Sequence, residues 1–192
     1  MAYTDYLDDV QKTYIAYYGR PADPGGLVWW ADVAERAGGM AAVINPFGIS
    51  PEATALQAPY AGNTLALLDS LYWQFFGRAG DYGGMVWWAD LIDRHIVTLP
   101  EAMWSMVTTG PQGDDIAAVA NKLTAANLFT RTIDPDLDGS NFQATYEGEG
   151  DFIAGRNFLT LYATSVKVPT QAETTAYIRT NIADPGDGIL TP

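Results

Sequence analysis

Few residues in this chain combine the type and the spacing that chemistry requires. Asp134-x-Asp136-x-Asp138-Gly139 sets carboxylates at alternate positions with a glycine for a sharp turn, as the first half of a calcium loop does. Position twelve counted from Asp134, where a bidentate glutamate belongs, is Thr145, and Glu147 stands two residues further on. A looser site drawing on Glu147, Glu149 or Asp151 would still favour calcium, because every ligand is an oxygen. The plain alternative is a solvated acidic turn, and both readings stay open. Calcium is the one cofactor suggested.

Covalent and acid–base catalysis find less support. There is one histidine, His95, at the end of a helical run, where it reads as a partner for the helix C-terminus. Cysteine is absent, and neither Gly-x-Ser-x-Gly nor a glycine-rich phosphate loop occurs. Carboxylates are so plentiful that no pair stands out for proton transfer. No nucleophile–base pair can be named, and the chain reads as something other than an enzyme.

A second set of polar and aromatic residues occurs twice. Tyr14 through Asp32 returns as Tyr72 through Asp90, an offset of 58 positions. The shift lays Gly19-Arg20 on Gly77-Arg78, Asp23 on Asp81, Gly25-Gly26 on Gly83-Gly84, and Trp29-Trp30-Ala31-Asp32 on Trp87-Trp88-Ala89-Asp90. Arg20 and Arg78 are placed to clamp the Asp of the turn, which makes Arg and Asp a brace for a helical corner. The other reading has Arg, Asp and the outward indoles of Trp29 and Trp87 lining a ligand site.

The elements that must position these residues are helices. Tyr14 and Tyr18, or Tyr72 and Phe76, lie four apart and share a helix face. Gly19 and Gly77 suit the left-handed residue that ends a helix, and Asp23 and Asp81 suit the N-cap of the next. That next helix buries Leu27, Trp30 and Val33, or Met85, Trp88 and Leu91. Further helices are predicted from Tyr3 to Tyr18, Asn63 to Phe76, Tyr82 to about Ile96, and Thr98 to Val107 behind a capping box. Met40 to Phe47 reads as a short apolar segment broken by Pro46 and Gly48. Asp114 or Asp115 should cap a helix through Phe129. Asp134 to Asp151 is a long acidic loop, and helices resume from Asp151 to about Thr164 and from Thr170 to about Ile182, before an extended tail over 184–192. The class is all-α: two copies of a helix-turn-helix repeat (about 1–55 and 56–113), then a C-terminal helical region (114–192) packed on them.

At these residues the chain resembles a known family. The pattern aromatic-x-x-x-aromatic-Gly-Arg-x-x-Asp-x-x-Gly-x-x-x-Trp looks like the helical repeat of unknown function found in bacterial secreted RTX-type and surface-layer proteins. Ser50-Pro51-Glu52 is similar to that family's closing signature; the second copy departs there, with Gly110-Pro111-Gln112-Gly113-Asp114. The segment from Asn121 to Ile178 is similar to the piece that often follows the repeat. The resemblance implies export by a one-step type I route with an uncleaved C-terminal signal, and no particular activity.

Composition bounds the rest. Across 192 residues, 48% are hydrophobic, enough for a packed core. A formal charge of −13 excludes nucleic acid as a partner and disfavours anionic lipid. No apolar run reaches the length of a membrane span, so membrane insertion is not expected. The first residues, acidic and polar, do not form a Sec signal peptide. Two functions follow: an exported structural subunit that assembles with itself into a surface layer or filament, or a module binding cell-surface carbohydrate such as lipopolysaccharide. The first draws on 6 Trp, 11 Tyr and 7 Phe, more than a core needs. In the second, Trp29 and Trp87 would stack on sugar rings while Arg20, Arg78, Asp32 or Asp90 bond hydroxyls.

Overall fold

The computed structural model describes residues 2–162 and 167–182. These form ten α-helices and two short 3-10 turns, with no strand among the described residues. In chain order the helices are α1 (Leu7–Tyr18), α2 (Pro24–Ala37), α3 (Ala41–Gly48), α4 (Pro51–Gln57), α5 (Thr64–Phe76), α6 (Tyr82–Asp93), α7 (Leu99–Thr108), α8 (Asp114–Ile133), α9 (Gly148–Thr160) and α10 (Gln171–Asn181). The extended tail expected over 184–192 lies outside the described residues.

Most boundaries follow from local chemistry. Ser50, Asn63, Thr98 and Thr170 each accept a backbone N–H at the N-cap of α4, α5, α7 and α10, and the last two form full capping boxes with Glu101 and Glu173. α6 ends in a Schellman turn: the His95 N–H donates to the Ile92 carbonyl and the Ile96 N–H to that of Leu91, with His95 left-handed at φ 56°. His95 thus supplies the terminating conformation rather than a side-chain cap.

Three expectations need correction. Pro46 does not break the segment at 40–48; it sits inside α3. Its ring removes one hydrogen bond from a two-turn helix that Val43 and Phe47 anchor in full burial. α8 starts without a side-chain cap, Gly113 being its N-cap, because the Asp115 carboxylate is engaged elsewhere. α9 starts at Gly148 and shortens the acidic loop, since the Asp151 carboxylate accepts from the Glu147 N–H across the first turn at 3.0 Å.

Burial falls into two clusters. The larger draws on α1 through α7, with Phe47, Phe75, Leu68 and Met103 at its centre. The smaller gathers Phe129, Phe158, Leu159, Ile178 and Ile182 from α8, α9, α10 and the residue after α10, and reaches α1 through Ile15. α8 joins them, packing on α1 and α5 as well as on α10.

The C-terminal ends of the two repeat-opening helices are closed by later helices. Gln74 of α5 donates from Nε2 to the carbonyls of Ile15 and Ala16 at 2.8 Å each. Lys122 of α8 in turn donates to the carbonyl of Gln74. Helix ends leave the Ala16 and Gln74 carbonyls without intrahelical partners, so these contacts fill them, while the Ile15 carbonyl shares Gln74 with the Gly19 N–H.

Candidate functional site

The two corners share their backbone conformation. Gly19 and Gly77 are left-handed at φ 67° and 68° and donate back to the carbonyls of Ile15 and Trp73. A side chain at either position would be strained. Asp23 and Asp81 then cap α2 and α6, accepting from the N–H of Gly26 at 2.8 Å and of Gly84 at 2.7 Å. A Cβ on Gly26 or Gly84 would fall on the hydroxyl of Tyr14 or Tyr72, which explains why the pattern has glycine there. Burial and then the neighbouring aspartate raise the phenol pKa of both tyrosines, so each hydroxyl keeps its proton.

The arginines do not chiefly clamp the aspartate of their own turn, as the spacing suggested. Arg20 lies 3.6 Å from Asp23 but gives two hydrogen bonds to Glu52 in the first turn of α4, at 2.8 and 3.0 Å. Arg78 gives two to Asp115 in the first turn of α8, at 2.8 and 2.6 Å. Each also donates to the carbonyl of the next residue, Pro21 or Ala79, at 3.1 Å. Asp23 and Asp81 are already committed as N-caps. The carboxylate that closes each corner therefore comes from the first turn of a later helix, α4 or α8. Glu52 lies in the Ser50-Pro51-Glu52 segment singled out in the sequence; the second stretch has Gly110-Pro111-Gln112 there instead, so nothing marked Asp115.

Around this shared frame the corners differ. The first is sealed. The Arg20 guanidinium lies 3.7 Å from the centre of the Phe152 ring and 5.2, 5.3 and 5.7 Å from those of Tyr14, Tyr18 and Tyr146. Burial works against its charge, but the Glu52 hydrogen bonds prevail and its pKa is raised. Arg156 adds a second cation on Glu52 at 3.2 Å, and Thr130 donates to the Ala22 carbonyl at 2.7 Å. The Arg20 side chain is 4% exposed, whereas that of Arg78 is 43% exposed.

The second corner opens onto a cleft of about 720 Å³ walled by Tyr72, Phe76, Trp88, Leu91 and Met106, with Arg78, Asp81 and Asp115 along it and Trp87 at its edge. Its size suits a small ligand or an inserted side chain. The outward indoles fall as the pattern implied: Trp29 is 55% and Trp87 56% exposed, while Trp30 and Trp88 are half-buried. Trp29 instead borders a shallow groove of about 560 Å³ with Tyr3, Asp134, Asp138 and Phe142. Asp32 and Asp90 each pair with an arginine one turn on, Arg36 and Arg94.

The acidic loop does not gather its carboxylates. The buried Asp134 accepts from the Gly139 N–H through Oδ2 at 2.9 Å, and its Oδ1 has no hydrogen-bond partner. The exposed Asp138 accepts from the Ser140 N–H at 2.8 Å, and Asp136 is exposed. Among the described residues no group of three or more metal-binding side chains converges. No helix there is long and apolar enough to cross a membrane.

Compared with family models, curated proteins and solved structures, the chain matches none.

Proposed function

We propose that the chain is an exported, self-assembling structural protein that builds a cell-surface layer or extracellular filament with copies of itself. The observation that carries this reading is α6. It is an apolar helix whose Met85, Trp88 and Ile92 are only partly buried against the core and whose Val86 and Trp87 stand exposed, Ala89 alone being buried. Tyr82 at its start is 75% exposed. Exposed apolar side chains grouped on one helix mark an interaction site, and indole and phenol rings are the side chains that interfaces favour. Export rests on the resemblance of the corner residues to the repeat of secreted and surface-layer proteins. Electron micrographs of the purified chain, with and without calcium, test it: ordered sheets or filaments are expected. A monomer under every condition in analytical ultracentrifugation would remove the reading.

The second corner favours carbohydrate binding as the other reading. Trp87 stands at the mouth of the cleft beside Arg78, Asp81 and Asp115, an indole plane next to groups able to bond hydroxyls. The first corner lacks this arrangement, because Arg20 is sealed. Lipopolysaccharide glycan should then quench tryptophan fluorescence, and Trp87→Ala should remove the response while Trp29→Ala leaves it. Equal loss from both variants, or no response, counts against it.

A further inference from the structure

The first corner contains a template for what the second one lacks. α3 lies in the angle between α1 and α2, and its Phe47 is fully buried there. The Phe47 ring centre is 5.0 Å from those of Tyr14 and Tyr18 and 4.9 Å from that of Trp30. By the repeat offset, Tyr72, Phe76 and Trp88 correspond to those three, and all three wall the cleft. The residue at the offset of Phe47 is Ser105, which also lines it.

The cause is a diverted helix. α7 packs mainly against α3 and α1 rather than into the angle of α5 and α6. Tyr17 donates to the carbonyl of Pro100 at 2.7 Å, and Pro100 seats on Gly48 so closely that a Cβ there would collide with it. α7 meets the α5–α6 hairpin only along one wall, through Ser105 and Met106, and leaves the angle between the two helices unfilled. Arg78 is paired with Asp115 and Asp81 with the start of α6, and beside these groups the cleft presents the rings of Tyr72, Phe76 and Trp88 and the aliphatic chain of Leu91. Met1, 163–166 and 183–192 contain no aromatic residue.

We infer that the second corner is a docking cleft for a short apolar helix of another protein molecule, which inserts one aromatic side chain between Tyr72, Phe76 and Trp88 as α3 inserts Phe47 in the first corner. This deepens the self-assembly reading by stating what a neighbour must present, and it rests on that reading only in taking the partner to be a protein. The chain's own segment supplies the probe, a labelled synthetic peptide of residues 40–50. Fluorescence anisotropy against the full chain should show saturable binding at up to roughly 1 mM, a weak range because so short a helix must order on binding. The same peptide with Phe47→Ala should bind at least about tenfold more weakly, a smaller loss than removing a fully buried ring causes in a core. Ser105→Phe, which places a ring in the cleft, and Trp87→Ala, at an exposed position that leaves folding intact, should each weaken binding about tenfold or more.

No saturable binding, equal binding of the Phe47→Ala peptide, or full binding to the folded Ser105→Phe protein would each overturn the inference. Phenol serves as a second probe: if it competes with the peptide, a ring socket is supported, and if it binds while the peptide does not, the cleft takes small aromatic molecules and the docking helix is wrong. Failure here with ordered particles still present in micrographs refutes the cleft and spares self-assembly. Peptide binding by a persistent monomer does the reverse.

Discussion

Arg20→Ala and Arg78→Ala remove the same residue of the same pattern, yet their costs should differ several-fold. The Arg20 guanidinium donates twice to Glu52 and once to the Pro21 carbonyl, and it stacks on Phe152 at 3.7 Å. Removing one partner of a buried ion pair costs about 3–5 kcal/mol, because the other charge stays behind. Glu52 would keep Arg156 at 3.2 Å, which points to the lower end, about 3 kcal/mol. Arg78 also makes a two-pronged pair, but its side chain is 43% exposed, and an exposed pair contributes about 1 kcal/mol or less. Urea unfolding followed by far-UV circular dichroism gives both values. In a chain of this size the Arg20 change corresponds to a Tm lower by about 6–12 °C, against about 2–4 °C for Arg78. Arg20→Lys should recover little, since an ammonium cannot reproduce the planar fork. Equal losses at the two arginines would refute the claim that the C-terminal region seals only the first corner.

Lys122 is buried, and burial pushes its pKa from 10.5 down to about 8. The unfolded chain then holds the extra proton between pH 8 and 10.5, so stability should rise with pH by up to about 3 kcal/mol across that window. Above pH 10 the raised phenols of Tyr14, Tyr17 and Tyr146 act the other way, so the rise should be read between pH 8 and 10, and Lys122→Met should flatten it. Gln11 is fully buried with neither amide atom hydrogen-bonded, so Gln11→Leu should stabilise by about 1–3 kcal/mol in urea unfolding, and a loss of stability would mean the amide is satisfied. If the acidic loop takes calcium, millimolar calcium should raise the Tm and Asp134→Asn should abolish the rise; an unchanged Tm in calorimetry would leave the loop a solvated turn.

What was legible in the sequence is what depends on neighbours along the chain. Gly19, Gly77, Asp23 and Asp81 could be placed because a left-handed stop and an N-cap are settled within one turn of backbone. The outward-facing Trp of each pair followed from helical spacing. The partners of the arginines did not, because Glu52 and Asp115 lie 32 and 37 residues from them, and a spacing of three pointed to an aspartate already used by its helix. Nor could the spacing show that α7 turns away from its hairpin. That depends on Pro100 meeting a glycine in another helix, a contact between residues 52 positions apart with no local trace. Pro46 is tolerated inside α3 because its cost is one hydrogen bond, and two fully buried neighbours outweigh it.

The relay of side chains from Gln74 to α1 and from Lys122 to α5 gives the molecule a direction. The end of the first helix becomes complete only once the fifth has arrived, and that of the fifth only once the eighth has. Shortening the protein from its far end should therefore loosen it stepwise toward its beginning, the amides nearest each broken link exchanging with solvent first.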